Sequence, residues 1–191
     1  DKLYQQLQNG DTLLKHEEFI DMGNVDDISQ GEYFGGAIWA LIKSFKSPFK
    51  TLMKMGILEE YMFGNTKSNL LCHQVKDKYF NDVPFLDIDP YLIMFERVQQ
   101  FFKETKDEEA VDALRHAFYL KVGTQIEPDE LEKGSKIWRK NTLINMLNEW
   151  GWDAKKLERL NDYPNWQMMH KVDLGNRINK ILMNSYKNIS E

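Results

Sequence analysis

Apolar residues recur every three or four positions along almost all of this 191-residue chain, and no stretch alternates over the length of a strand. That period makes the chain a set of helices that must bury one face against each other, an all-α fold. Ser29 reads as an N-cap, and Glu32 three residues later completes a capping box. The helix that follows carries Phe34, Ile38, Leu41, Ile42 and Phe45 on one face, and it stops at Ser47-Pro48. Ser47 reads as the next N-cap, and Pro48 suits a first helical position. A helix from Pro48 to Phe63 keeps Phe49, Leu52, Met53, Ile57 and Tyr61 in period. The same signal predicts helices over Asn69–Phe80, Pro90–Thr105, Asp107–Val122, Lys133–Trp150, Ala154–Leu160 and Asn165–Asn188. A loop is expected at Asn81–Asp89 and an acidic loop at Gly123–Glu132. Ahead of these lie two short helices, Asp1–Asn9 and Thr12–Phe19, and an irregular stretch to Ile28. The expected division is therefore 1–28 as N-terminal helices and linker, and 29–191 as a helical domain. The architecture is an irregular multi-helix bundle of about eight helices. The chain opens at Asp1 inside a periodic segment, so it reads as a piece of something longer.

Several function classes fall away. A net charge of −5 argues against a broad basic surface for nucleic acid. No apolar run approaches the roughly 20 residues that cross a bilayer, and no signal peptide is visible. The single cysteine, Cys72, excludes an internal disulfide and fits a reducing cytoplasm. His16, His73, His116 and His170 do not pair at metal-ligand spacing with each other or with Cys72. Cys72 and His73 are adjacent in a helix and point apart, which makes a poor nucleophile dyad. There is no P-loop and no G-x-G-x-x-G. Glu96-Arg97 reads as an ion pair on or within a helix.

The stretch Glu32–Tyr61 carries the chemistry. Lys43, Lys46, Lys50 and Lys54 fall there, with no acidic residue between Phe34 and Leu58. Lys43 and Lys46 close one helix, where the dipole favours cations by about 0.3–1 kcal/mol, so they need no other role. Lys50 sits in the first turn of the next helix, where the same effect disfavours it. A helix start with bare N–H groups and a lysine is an anion site in outline; the competing reading leaves Lys50 in solvent. Gly35-Gly36 inside a helix costs about 0.8–1 kcal/mol per glycine, which marks close helix packing or the approach of a ligand. A second basic group, Lys133, Lys136, Arg139 and Lys140, follows acidic residues that can neutralise it.

The stretch Glu32-Tyr33-Phe34-Gly35, Trp39, Leu41, Lys43-Ser44, Ser47-Pro48 and Lys50 resembles the EYFG-x-x-x-W-x-L-x-K-S-x-x-S-P-x-K run of enterobacterial-type class I adenylate cyclases. The likeness continues in order through Glu59 and Tyr61, then Asp89-Pro90-Tyr91, Met94 and Glu96-Arg97-Val98. It goes on through Phe118-Tyr119-Leu120-Lys121-Val122 and Trp138-Arg139. Glu149-Trp150-Gly151-Trp152-Asp153, Asn165-Trp166, Ser185-Tyr186 and Asn188 complete it. Lys46 and Phe49 depart from the pattern, which commonly has an acid and a tyrosine there.

The resemblance implies an enzyme that converts ATP to cyclic AMP and pyrophosphate. It implies that this helical domain follows a polymerase-β-type nucleotidyltransferase subdomain, not present in this chain, whose Gly-Ser loop and Asp-x-Asp pair hold Mg²⁺. Asp87-x-Asp89 has the spacing but not the context, so no metal ligand and no catalytic residue is assigned here. By analogy with related nucleotidyltransferases, the helical domain closes over the nucleotide, and Lys43, Ser47 and Lys50 become its triphosphate contacts. The expected partners are ATP, the upstream subdomain of the same polypeptide and a phosphotransferase-system regulator, with no nucleic acid and no membrane span. The chain alone is expected to be inactive and cytoplasmic. The alternatives are a protein-interaction module docking phosphotransferase proteins through exposed Trp or Phe, and a structural spacer.

Overall fold

The computed structural model describes residues 28–64, 70–81 and 88–191. The expected helices within 1–28 lie outside the described residues. Nine α-helices and no strand occur among the described residues, so the chain is all-α. They are α1 (Gln30–Ser44), α2 (Pro48–Phe63), α3 (Leu71–Phe80), α4 (Pro90–Glu104), α5 (Glu108–Val122), α6 (Glu130–Lys133), α7 (Trp138–Glu149), α8 (Ala154–Asn161) and α9 (Met168–Ser190). A 3₁₀ turn, Tyr163–Asn165, separates the last two.

α2 is the axis of the bundle, packed by α1, α4, α5 and α9. Its sequence explains the placement: Leu52, Met53, Met55, Gly56 and Ile57 are all buried, so it has no single wet face. Two glutamates are buried with it and are satisfied across the core. Glu59 accepts from Asn188 Nδ2 at 2.6 Å, and Glu60 accepts from Arg97 Nη2 at 2.5 Å. The Arg97–Glu60 pair, with side chains 9% and 5% exposed, ties α4 to α2. Arg97 also lies 5.2 Å above the Tyr61 ring. The sequence set Arg97 against its neighbour Glu96; its partner instead comes from 37 residues away.

Most helix starts follow local chemistry. Ser29 and Glu32 form the expected capping box, and Asp89, Asp107 and Asp153 cap α4, α5 and α8 with side-chain acceptors. Pro48 opens α2, but the Ser47 hydroxyl makes no capping bond.

Three expectations about elements need correction. The helix expected over Lys133–Trp150 is split, because Gly134 takes φ +70° and stops α6. Asn141 Oδ1 then accepts from Ser135 N, and the chain re-enters helix only at Trp138. The acidic loop is correspondingly shorter, since Glu130 and Glu132 belong to α6. The last helix begins at Met168 rather than Asn165. The Trp166 indole donates to Arg159 O at 2.6 Å and holds its own backbone extended.

The buried face of α1 also differs. Tyr33, Ala37 and Ala40 face the core, while Ile38, Ile42 and Phe45 are exposed, Phe45 by 91%. Beyond Tyr33 the face is taken by alanines because α1 runs close to α2: a Cβ on Gly36 would meet Leu58 Cδ1 at 3.3 Å. Gly35 faces open space. No described helix is long and apolar enough to cross a membrane.

Candidate nucleotide-contact site

The joint between α1 and α2 holds the three residues singled out above. Ser47 N donates to Lys43 O at 3.0 Å, and Thr51 N donates to Ser47 O at 3.0 Å, so one backbone ladder links the last turn of α1 to the first of α2. The non-helical backbone of Ser47, φ −148° and ψ 66°, breaks the path between the two helices. The two ammonium groups consequently have different neighbours. Lys43 Nζ lies 4.5 Å above the Trp39 ring on the outer face of α1. Lys50 Nζ lies 5.6 Å from the Tyr91 ring at the start of α4. Among the described residues, neither lysine pairs with a carboxylate.

Tyr91 carries Lys50 to the edge of a cleft of about 290 Å³ between α2, α4, α5 and α7. Met53, Phe118, Leu143 and Met146 give it an apolar lining and are themselves buried. Tyr91 and Trp138 line it while remaining 37% and 38% exposed. Lys121, Arg139, Thr124 and Thr142 supply its polar groups. Asp89 is the acid in the lining. Its Oδ1 accepts from Tyr91 N at 2.9 Å and Leu92 N at 3.3 Å, so it is occupied as the cap of α4. Its Oδ2 stands 4.0 Å from Arg139 Nη2.

The geometry of this cleft depends on how α2 is held against α4. The Arg97–Glu60 pair does so at one end, and close packing of Gly56 on Val98 and Phe102 does so midway. Tyr61 adds a bond from its hydroxyl, which accepts from Leu71 N at 2.8 Å. Burial pushes the Tyr61 phenol up, against the opposing pull of the Leu71 N–H and Arg97.

The second basic group is largely neutralised, as its acidic neighbours suggest. Lys133 pairs with Asp129 at 2.8 Å and Lys140 with Glu130 at 2.6 Å. Arg139 also lines the cleft, but from its solvated rim: its side chain is 69% exposed, and the meeting of α7 with α4 sets it beside Asp89. Half-burial raises the Glu96 carboxyl, with Lys78 opposing and Glu149 adding to the rise. Among the described residues no group of three or more His, Cys, Asp or Glu could hold a metal ion. Among the described residues the donor set therefore does not fit a Mg²⁺ ion, whose ligands the resemblance expects outside this chain.

The chain matches the family model described as adenylate cyclase, class-I, second domain, over residues 28–191. It is 32% identical over 178 residues to the adenylate cyclase of Salmonella typhimurium, covering 93% of this chain and 21% of that protein. The adenylate cyclase of Escherichia coli (strain K12) gives the same identity and coverage. That of Proteus mirabilis is 29% identical over the same shares. The chain thus spans about a fifth, 21%, of the length of the curated relatives it matches. No solved structure matches.

Proposed function

Since this chain belongs to the class-I adenylate cyclase family, as its second domain, we propose that it serves a polypeptide that converts ATP to cyclic AMP and pyrophosphate. In that reaction the ribose 3′-oxygen attacks the α-phosphorus, the bond to the β-phosphate breaks, and pyrophosphate leaves with its growing charge. The 3′-proton passes to a base outside this domain, and the Mg²⁺-binding carboxylates also lie elsewhere in the polypeptide. This domain closes over the nucleotide, and Lys43, Ser47 and Lys50 contact its triphosphate. Its contribution is electrostatic, since cations fixed near a leaving pyrophosphate stabilise the charge as it forms. The chain alone is inactive, and the enzyme works in the cytoplasm.

Lys50 carries the reading. It stands in a first helical turn against the dipole, it is half-buried, and among the described residues it has an aromatic ring beside it and no carboxylate. The test is Lys50→Ala in the full-length enzyme. The expected result is a cyclase rate lower by about tenfold, the scale of one charge-assisted contact, at unchanged thermal stability. An unchanged rate removes Lys50 from the mechanism.

A second reading, docking of a phosphotransferase-system regulator, draws support from the outer face of α1, where Trp39, Ile42 and Phe45 are exposed together. It expects Phe45→Glu to abolish capture of the phosphocarrier protein while basal cyclase activity stays. Retained capture counts against this face.

A further inference from the structure

Three sequence stretches far apart in the chain meet in the cleft. Asp89 and Tyr91 come from the start of α4, Phe118 and Lys121 from the end of α5, and Trp138 and Arg139 from the start of α7. Each pair lies in a stretch that carries the family resemblance, and none has a role in the triphosphate contacts assigned above. The physical character of the cleft is specific. Its deep lining, Met53, Phe118, Leu143 and Met146, is apolar, and its two mouth aromatics keep more than a third of their surface exposed. Large rings left part-open beside an apolar slot suit a flat ligand that covers them. The rim is positive: Lys121 and Arg139 line it, and Lys50 stands beside Tyr91. α7 also starts here without a side-chain cap, so the positive end of its dipole adds to the rim. Asp89, the acid in the lining, is engaged by two backbone N–H groups and only loosely by Arg139. An apolar slot with aromatic walls and a cationic rim complements a heteroaromatic ring bearing an anionic tail. At about 290 Å³ the space is at the small end of ligand pockets, near the ~300 Å³ lower bound. It therefore holds the ring and leaves the tail at the rim.

We propose that this cleft binds the adenine ring of the nucleotide against Tyr91 and Trp138, with Lys121 and Arg139 meeting its phosphates. The proposal rests on the cyclase reading and extends it from the triphosphate to the base. The test uses the full-length polypeptide and two probes. One is 3′-deoxyATP, which lacks the attacking hydroxyl; the other is 3′-deoxyadenosine, which also lacks phosphates. Trp138→Ala is expected to weaken binding of both by about tenfold, the scale of one lost ring stack, and to raise KM for ATP alike. Trp138→Phe, which keeps a ring, should stay within about threefold. Arg139→Ala should weaken 3′-deoxyATP and leave 3′-deoxyadenosine unchanged. If Trp138→Ala melts early, Tyr91→Leu carries the same test. Unchanged binding of both probes by a folded Trp138→Ala or Tyr91→Leu protein overturns the proposal. The two readings fail separately. A wild-type enzyme that makes cyclic AMP with Trp138-independent constants sinks the cleft alone. One that binds 3′-deoxyATP through Trp138 but makes no cyclic AMP sinks the cyclase reading alone.

Discussion

Alanine in place of glycine should have opposite signs at two helical positions of this bundle. In a helix interior the change gains about 0.8–1 kcal/mol of propensity. At Gly35 a Cβ would meet nothing within 4 Å, so Gly35→Ala keeps that gain. At Gly56 the Cβ would overlap Val98 Cγ1 and stand 3.3 Å from Phe102 Cζ. Val98 is fully buried and stiff at χ1, and Phe102 is 3% exposed, so neither can swing aside. α4 cannot back away freely either, because the Arg97–Glu60 pair clamps it to α2 one turn further along. The cost then falls near the top of the ~1–3 kcal/mol range for overpacking. Net of the propensity gain, Gly56→Ala should destabilise by about 2 kcal/mol. For a domain of this size that lowers Tm by ~4–8 °C, while Gly35→Ala raises it by ~2–4 °C. Circular dichroism melts of the two variants read this directly. A double-mutant cycle assigns the cause: in a Val98→Ala background, Gly56→Ala should become neutral or stabilising. If Gly56→Ala matches the wild type, or if its cost persists without the Val98 methyl groups, the close approach of α2 and α4 is refuted.

Two further perturbations probe the same core. Arg97→Ala removes the guanidinium from a buried carboxylate and should cost about 3–5 kcal/mol in urea unfolding, whereas replacing both Arg97 and Glu60 by Met and Leu should recover most of it; an Arg97→Ala loss below ~1 kcal/mol contradicts the clamp. Burial depresses the pKa of His116 below its ordinary 6.5, although the Asp112 carbonyl and carboxylate pull it up. The folded state then favours neutral imidazole, so this stabilisation is complete above pH ~6.5 and is lost as pH falls through the lower folded value. Stability measured from pH 7 to 5 should drop, and His116→Gln should flatten that limb; an identical slope in the variant contradicts it.

What could be read from the sequence was what is decided within a few residues. The capping box at Ser29 and Glu32, the proline starts at Pro48 and Pro90, and the all-α class depend on local bonds and period, and all are present. What could not be read depends on a second helix. α1 turns Ala37 and Ala40 inward and leaves Phe45 out because α2 demands a thin neighbour, which a count of apolar residues does not reveal. Arg97 selects Glu60 over Glu96 because tertiary packing brings α2 alongside. The break at Gly134 was legible in principle, since glycine is the residue for positive φ, but the helical period on both sides concealed it. In the site, Lys50 stood out through its conflict with the dipole. Tyr91, Trp138 and Arg139 were visible as motif residues, yet nothing in their spacing says that the start of α4 and the start of α7 share a cleft.

The central claim is that this helical domain touches the nucleotide itself. Photolabelling of the full-length enzyme with 8-azido-ATP, followed by peptide mapping, tests it most directly. The account expects label on peptides of this domain that contain Tyr91 or Trp138, displaced by excess ATP. ATP-protected label found exclusively on peptides outside residues 28–191 would contradict it.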